Sequence, residues 1–146
     1  MADTVLDAIE RACQRLVIEF AEAVDAQDYE RLRAVFAPDA TFARPTDPDT
    51  VIRGIDSIIA AYAARPRNRL TQHLCTNIRV TAESNDAARG TCVVLLFLGD
   101  ASEAETPGKG RKAAPGQLVG TFADRFERTG DGWRIGERRG RLLMHT

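Results

Sequence analysis

At Pro66 the hydrophobic period of the chain changes. Before it, Val5, Ile9, Cys13, Leu16, Phe20 and Val24 recur at steps of three and four, the spacing of one helix face. After it, apolar residues alternate in runs of strand length. Helices first and antiparallel strands afterwards is the order of an α+β domain, with the helices gathered on one face of a sheet. At 146 residues the chain reads as one domain over 1–146. A chain of this size buries roughly 68–70% of its unfolded surface and needs neither disulfide nor metal to hold a core.

The first helix is predicted over Thr4 to Val24. In its second half Val17, Ile18, Ala21 and Ala23 widen the apolar arc past half the circumference, which predicts cover on more than one side. Asp28 suits the N-cap of a short helix, Tyr29 to Phe36, that returns Leu32, Val35 and Phe36 to the core and ends at Pro38. A short strand over Ala40 to Arg44, a turn-rich stretch from Pro45 to Thr50, Gly54 and a helix from Ile55 to Ala64 follow. Four long strands are then predicted: Arg69 to Ala82, Ala87 to Leu98, Gln117 to Arg128 and Trp133 to Met144. Asp100 to Gly116 reads as a solvent loop; its Lys109, Arg111 and Lys112 lack P-loop spacing and a following helix, which argues against a phosphate cradle. Twist curls four long strands, and a wide apolar helix closing the concave side leaves a cavity where the sheet opens away from it.

Composition narrows the function classes. With 20 Lys+Arg against 21 Asp+Glu there is no basic bias of the kind a nucleic-acid partner requires. The apolar run Cys92 to Leu98 is far too short to span a membrane, and the early Asp3 and Asp7 do not fit a secretory signal, so a cytoplasmic protein is expected. Cys13, Cys75 and Cys92 are odd in number and lack C-x-x-C spacing, as expected for small core residues in a reducing compartment. The two histidines, His73 and His145, lie too far apart for a paired zinc motif, so no metal and no cofactor is expected and any histidine chemistry runs through one imidazole.

Asp25 stands at the C-terminal end of the first helix on the margin of its apolar arc. The helix dipole presents its negative end there, and apolar neighbours reduce solvation, so the carboxylate is disfavoured twice. Either it caps the turn and faces water, or it is buried and needs a partner. The candidate partner is His73 in the segment LTQHLCTNIRV, Leu70 to Val80. On strict alternation His73, Cys75 and Asn77 share a face opposite Leu74, Thr76, Ile78 and Val80. Either His73 points to solvent, or a bulge changes the parity and turns both His73 and Ile78 inward, where an imidazole held by a carboxylate makes a general base.

The order of elements, VDAQDYERLRAVFAPDA from Val24 to Ala40, LTQHLCTNIRV, and GTFADRFERTGDGWRIGERR from Gly120 to Arg139 resemble the SnoaL-like branch of the nuclear transport factor 2 superfamily. The resemblance implies a cone-shaped, mostly antiparallel sheet wrapped around a long N-terminal helix, with an apolar cavity between them. Two enzyme types of that superfamily, scytalone dehydratase and hexachlorocyclohexane dehydrochlorinase, place an Asp near the end of helix one and a His after a Thr-x motif; Asp25 and His73 match. By that likeness His73 abstracts a proton from carbon and Asp25 orients it. The second histidine of the dehydratase has no counterpart in the body of the domain, and Phe20 stands where the dehydrochlorinase has lysine. No leaving-group apparatus is therefore carried over.

Strand parity and the resemblance together predict a pocket lined by Ala21, Phe42, Val94, Leu96, Leu118 and Phe122, with Tyr62 in the core or at the rim. Arg138 or Arg139, whichever faces inward, is the candidate to stabilise an enolate, with Asp124 as ion-pair partner. Trp133 and Ile135 are expected on the opposite face, in a homo-oligomer interface through the outer side of the sheet. The expected partner is a small hydrophobic molecule, and the expected function a cofactor-independent lyase, isomerase or cyclase. The alternatives are a noncatalytic binding or partner protein and a small subunit of a ring-hydroxylating dioxygenase assembly.

Overall fold

The computed structural model describes residues 2–146. The elements run α1 (Ala2–Ala26), α2 (Tyr29–Arg33), β1 (Phe36–Arg44), β2 (Asp47–Arg53), α3 (Ile55–Ala63), β3 (Arg69–Ala82), β4 (Ala87–Asp100), β5 (Leu118–Thr129) and β6 (Gly132–His145). One six-stranded sheet has the order β2-β1-β6-β5-β4-β3, antiparallel throughout except for the parallel pair β1 and β6. It is curved and unclosed, with α1 laid across β3, β4 and β6, as expected for an α+β fold built on a long first helix.

Ile9, Cys13, Val17, Phe20 and Val24 form the buried stripe of α1 and meet Val80, Ala88, Cys92, Phe122, Phe126 and Ile135 from the sheet. Cys13 is fully buried, and burial pushes its thiol up to about 12. Cover on more than one side is only partial, since Ile18 is 46% exposed. Gln27, at φ 52°, ends the helix in the left-handed region, and its side-chain amide donates to the carbonyls of Arg67 and Arg69 at 3.1 and 3.0 Å. That clasp ties the end of α1 to the start of β3. Asp28 caps α2 as expected, accepting from the Arg31 N–H at 3.1 Å.

The structure corrects the region before Pro66. The second helix stops at Arg33, and Phe36 already begins β1. Pro38 is accommodated within that strand because the β1–β6 register slips between Phe36 and Thr41, leaving a stretch that needs no ladder donor there. The turn-rich stretch predicted from Pro45 to Thr50 is a tight turn at Pro45 and Thr46 followed by β2, an exposed edge strand where Pro48 costs little.

Two bulges set which side chains face the helix. Asn77, at φ 51°, lies at the register break between Thr76 and Arg79, so Thr71, His73 and Cys75 face the same way as Ile78, Val80 and Ala82. A second break, where Arg125 opposes Glu137 but Phe126 opposes Ile135, does the same in β6. Both Ile135 and Arg138 are therefore fully buried. This overturns the expectation that Trp133 and Ile135 lie on the outer face: Ile135 is core, and Trp133 packs against the core half-buried.

Candidate functional site

Asp25 leaves the last turn of α1 beside the N-terminal half of β3, and that half of the strand wraps its carboxylate. Oδ1 accepts the Thr71 hydroxyl at 2.7 Å and lies 2.6 Å from His73 Nδ1. Oδ2 accepts the His73 backbone N–H at 2.8 Å and the Gln72 amide at 3.4 Å. The two side chains keep only 14% and 11% of their exposure. A carboxylate accepts only, so the short contact assigns the proton to Nδ1 and leaves Nε2 as the nitrogen free for other chemistry. Of the two sequence alternatives for each residue, the structure has Asp25 partnered rather than facing water, and His73 turned inward by the Asn77 bulge.

His73 lines an apolar pocket with Phe20, Phe42, Tyr62, Val94, Leu96, Leu118 and Phe122. The space it encloses is about 60 Å³, and it opens to solvent at its mouth. The floor is an aromatic cluster: Phe20 lies 5.8 to 6.1 Å from Phe36, Phe42, Tyr62 and Phe122, mostly edge to face. Phe42, Val94, Leu96, Leu118 and Phe122 thus stand where they were expected.

Ala21 and Arg138 do not. Ala21 lies on the other flank of α1, in a shallow outer groove with Ile18, Asp25, His73 and Cys75, because the wide apolar arc spans two surfaces. Arg138 is the inward-facing arginine and Arg139 the outer one, but Arg138 sits behind the aromatic floor and contributes nothing to the pocket lining. Its guanidinium carbon is 4.2 Å from the Phe20 ring centre and 3.9 Å from that of Phe122. Nε lies 3.3 Å from Asp124 Oδ1, an ion pair whose N–H is not aimed at the carboxylate, so neither Asp124 oxygen makes a hydrogen bond within the protein. Burial pushes the Asp124 carboxyl up to about 6 against the opposing pull of Arg138.

The mouth is basic, which the sequence reading missed. Arg44 from the end of β1, Arg65 after α3 and Arg69 at the start of β3 line it, and no acidic side chain does. The available signal was their position at element ends, two of them within ARPRNR, Ala64 to Arg69. Among the described residues no group of three or more His, Cys, Asp or Glu side chains is placed to hold a metal ion, and no helix is long and apolar enough to cross a membrane.

Comparisons with known proteins fit this architecture. A model of the SnoaL-like domain matches residues 8–139. No curated protein matches the sequence. Among solved structures, a candidate scytalone dehydratase from Novosphingobium aromaticivorans is 25% identical, with a TM-score of 0.75 over 100% of this chain and 91% of that one. A type-three hexachlorocyclohexane dehydrochlorinase from Novosphingobium barchaimii is 21% identical, with a TM-score of 0.74 over 93% of this chain and 88% of that one. A candidate dehydratase of the NTF2-like family from Streptomyces avermitilis is 20% identical, with a TM-score of 0.73 over 88% and 92%.

Proposed function

The chain belongs to the SnoaL-like domain family, and from that premise we propose that it is a cofactor-independent acid–base enzyme acting on a small hydrophobic cyclic or aromatic molecule. The observation that carries the reading is that Asp25 holds both the ring and the main chain of the one histidine on the wall of an apolar pocket. With Nδ1–H donated to Asp25, His73 Nε2 takes a proton from an acidic carbon of the bound molecule, and the carboxylate stabilises the imidazolium that forms. Exclusion of water by the aromatic walls strengthens that charge pairing. The electron pair left on carbon expels a leaving group in a lyase, or is reprotonated elsewhere in an isomerase. The likeness to a candidate scytalone dehydratase favours elimination.

The test needs no knowledge of the physiological substrate. Cyclic ketones and phenolic compounds are incubated with the protein in deuterated buffer, and loss of their acidic C–H signals is followed by NMR. Enzyme-dependent exchange is expected for the wild type and is expected to vanish in His73→Gln. Exchange that persists in His73→Gln, or that no compound shows, counts against the dyad and leaves a noncatalytic binding protein as the better reading.

A further inference from the structure

The basic mouth is unexplained by proton abstraction alone. Arg44, Arg65 and Arg69 converge there from separate elements, and among the described residues none has an acidic partner within ion-pairing distance. Their existing contacts leave charge over. Arg44 donates one Nη2–H to the Ala61 carbonyl at 3.2 Å, while its buried Nε has no hydrogen-bond partner within the protein. The Arg65 guanidinium carbon lies over the Tyr62 ring, 4.3 Å from its centre. Burial, with Arg44 and Arg69 as neighbouring cations, pulls the Arg65 guanidinium below its ordinary range. Like charges gathered at the entrance of an apolar pocket cost stability in the empty protein, and guanidinium is the group suited to binding a planar oxyanion through two parallel N–H donors.

We infer that the pocket takes a hydrophobic carboxylate, its ring in the aromatic cavity beside His73 and its anionic end on Arg44, Arg65 and Arg69. The inference rests on the reading of this pocket as the reaction site and names the class of substrate it takes. Arg69 and His73 share one face of β3 four residues apart, so their Cα atoms are separated by roughly 13 Å at strand rise. The anchoring group is thus remote from the base, and its charge does not oppose formation of a carbanion next to the imidazole. Remote binding energy of this kind orients a small substrate that the apolar walls alone would let turn.

Calorimetric titration with naphthoate, naphthamide and acetate tests it, because the two aromatic probes share the ring and shape but only one carries an anionic end, and acetate reports anion binding without a ring. In the wild type naphthoate is expected to bind at least about tenfold more tightly than naphthamide, with acetate weaker than both. In the Arg44→Gln/Arg69→Gln double variant, with folding verified by its melting transition, the preference for acid over amide is expected to fall below about threefold. His73→Gln is expected to keep the full preference, so failure of the catalytic reading and failure of this one appear in different measurements. Equal binding of acid and amide by the wild type, no binding of either, acetate binding as tightly as naphthoate, or a preference unchanged in the double variant would each overturn the assignment.

Discussion

Both carboxylate oxygens of Asp25 are committed to the segment carrying His73, Oδ1 to ring Nδ1 at 2.6 Å and Oδ2 to the backbone N–H at 2.8 Å. The carboxylate therefore sets the tautomer and the position of the ring together. Asp25→Asn replaces an acceptor with a group that also donates, and the Nδ1–H tautomer is no longer enforced. Nitrogen NMR shifts of His73 are expected to show one neutral tautomer in the wild type and a mixture in the variant. Where turnover is found, the loss in Asp25→Asn is expected to be about 10² to 10⁴-fold in kcat.

Asp124 predicts the pH dependence of stability. Its carboxyl is raised from 3.8 to about 6 in the folded protein, first by burial. Between those values the native state binds more protons than the unfolded state, so this residue makes stability fall as pH rises from about 4 to 6 and level off above. Melting temperatures of the wild type are expected to carry that contribution, and Asp124→Asn to remove it. A slope over this range identical in the two proteins would count against the burial argument.

Arg138 is held by two aromatic faces and one carboxylate, all inside the core. Arg138→Ala leaves Asp124 without its cation and opens a cavity between Phe20 and Phe122, at an expected cost of about 3–5 kcal/mol. The double variant Arg138→Met/Asp124→Leu removes both charges together and is expected to recover most of that loss in chemical denaturation, with the pocket lining intact.

The Asn77 bulge is predicted to tolerate Gly and to reject β-branched residues. At φ 51° a β-branched side chain is strained, so Asn77→Val is expected to lower stability by about 1–2 kcal/mol while Asn77→Gly stays within a few tenths. Deleting Asn77 leaves His73 and Ile78 an even number of residues apart, so a regular strand without the bulge keeps both inward. Retention of the His73–Asp25 contact in that deletion, read from the His73 nitrogen shifts, is the expected signature.

Gly140 is predicted to resist substitution, because it packs against Pro45 of the pocket lining. A Cβ there would run into the ring of Pro45, which packs on the bare Cα and heads the turn next to Arg44. Gly140→Ala is expected to cost about 1–3 kcal/mol in denaturant unfolding and to displace the β1–β2 turn.

What could be read in advance, and what could not, follows from whether a signal is local. The strands after Pro66 are long and cleanly alternating, so β3 to β6 stand within a few residues of the reading. β2 was hidden because Asp47, Pro48 and Asp49 have turn chemistry, and only pairing along the edge of β1 makes them a strand. Ile135 was misplaced because parity counted along one strand is blind to a bulge defined by its neighbour. Asp25 and His73 were legible as a pair through helix-end electrostatics and a parity conflict within Leu70 to Val80, though not the place of the bulge, which only the pairing with β4 puts at Asn77. The three arginines of the mouth were not, since Arg44 lies far along the chain from Arg65 and Arg69 and only the curved sheet brings it to them.

The parallel pairing of β1 with β6 bears on how the molecule comes into being. During synthesis α1 and β1 leave the ribosome well before β6, yet the residue that stacks on Phe20 is Arg138 and the strand that flanks β1 is β6. Until β6 arrives, β3 covers much of the first helix but Phe20 lacks Arg138, and closure must wait for contacts between distant parts of the chain. The domain is therefore expected to become protease-resistant only once β6 has joined the sheet, in a single late step.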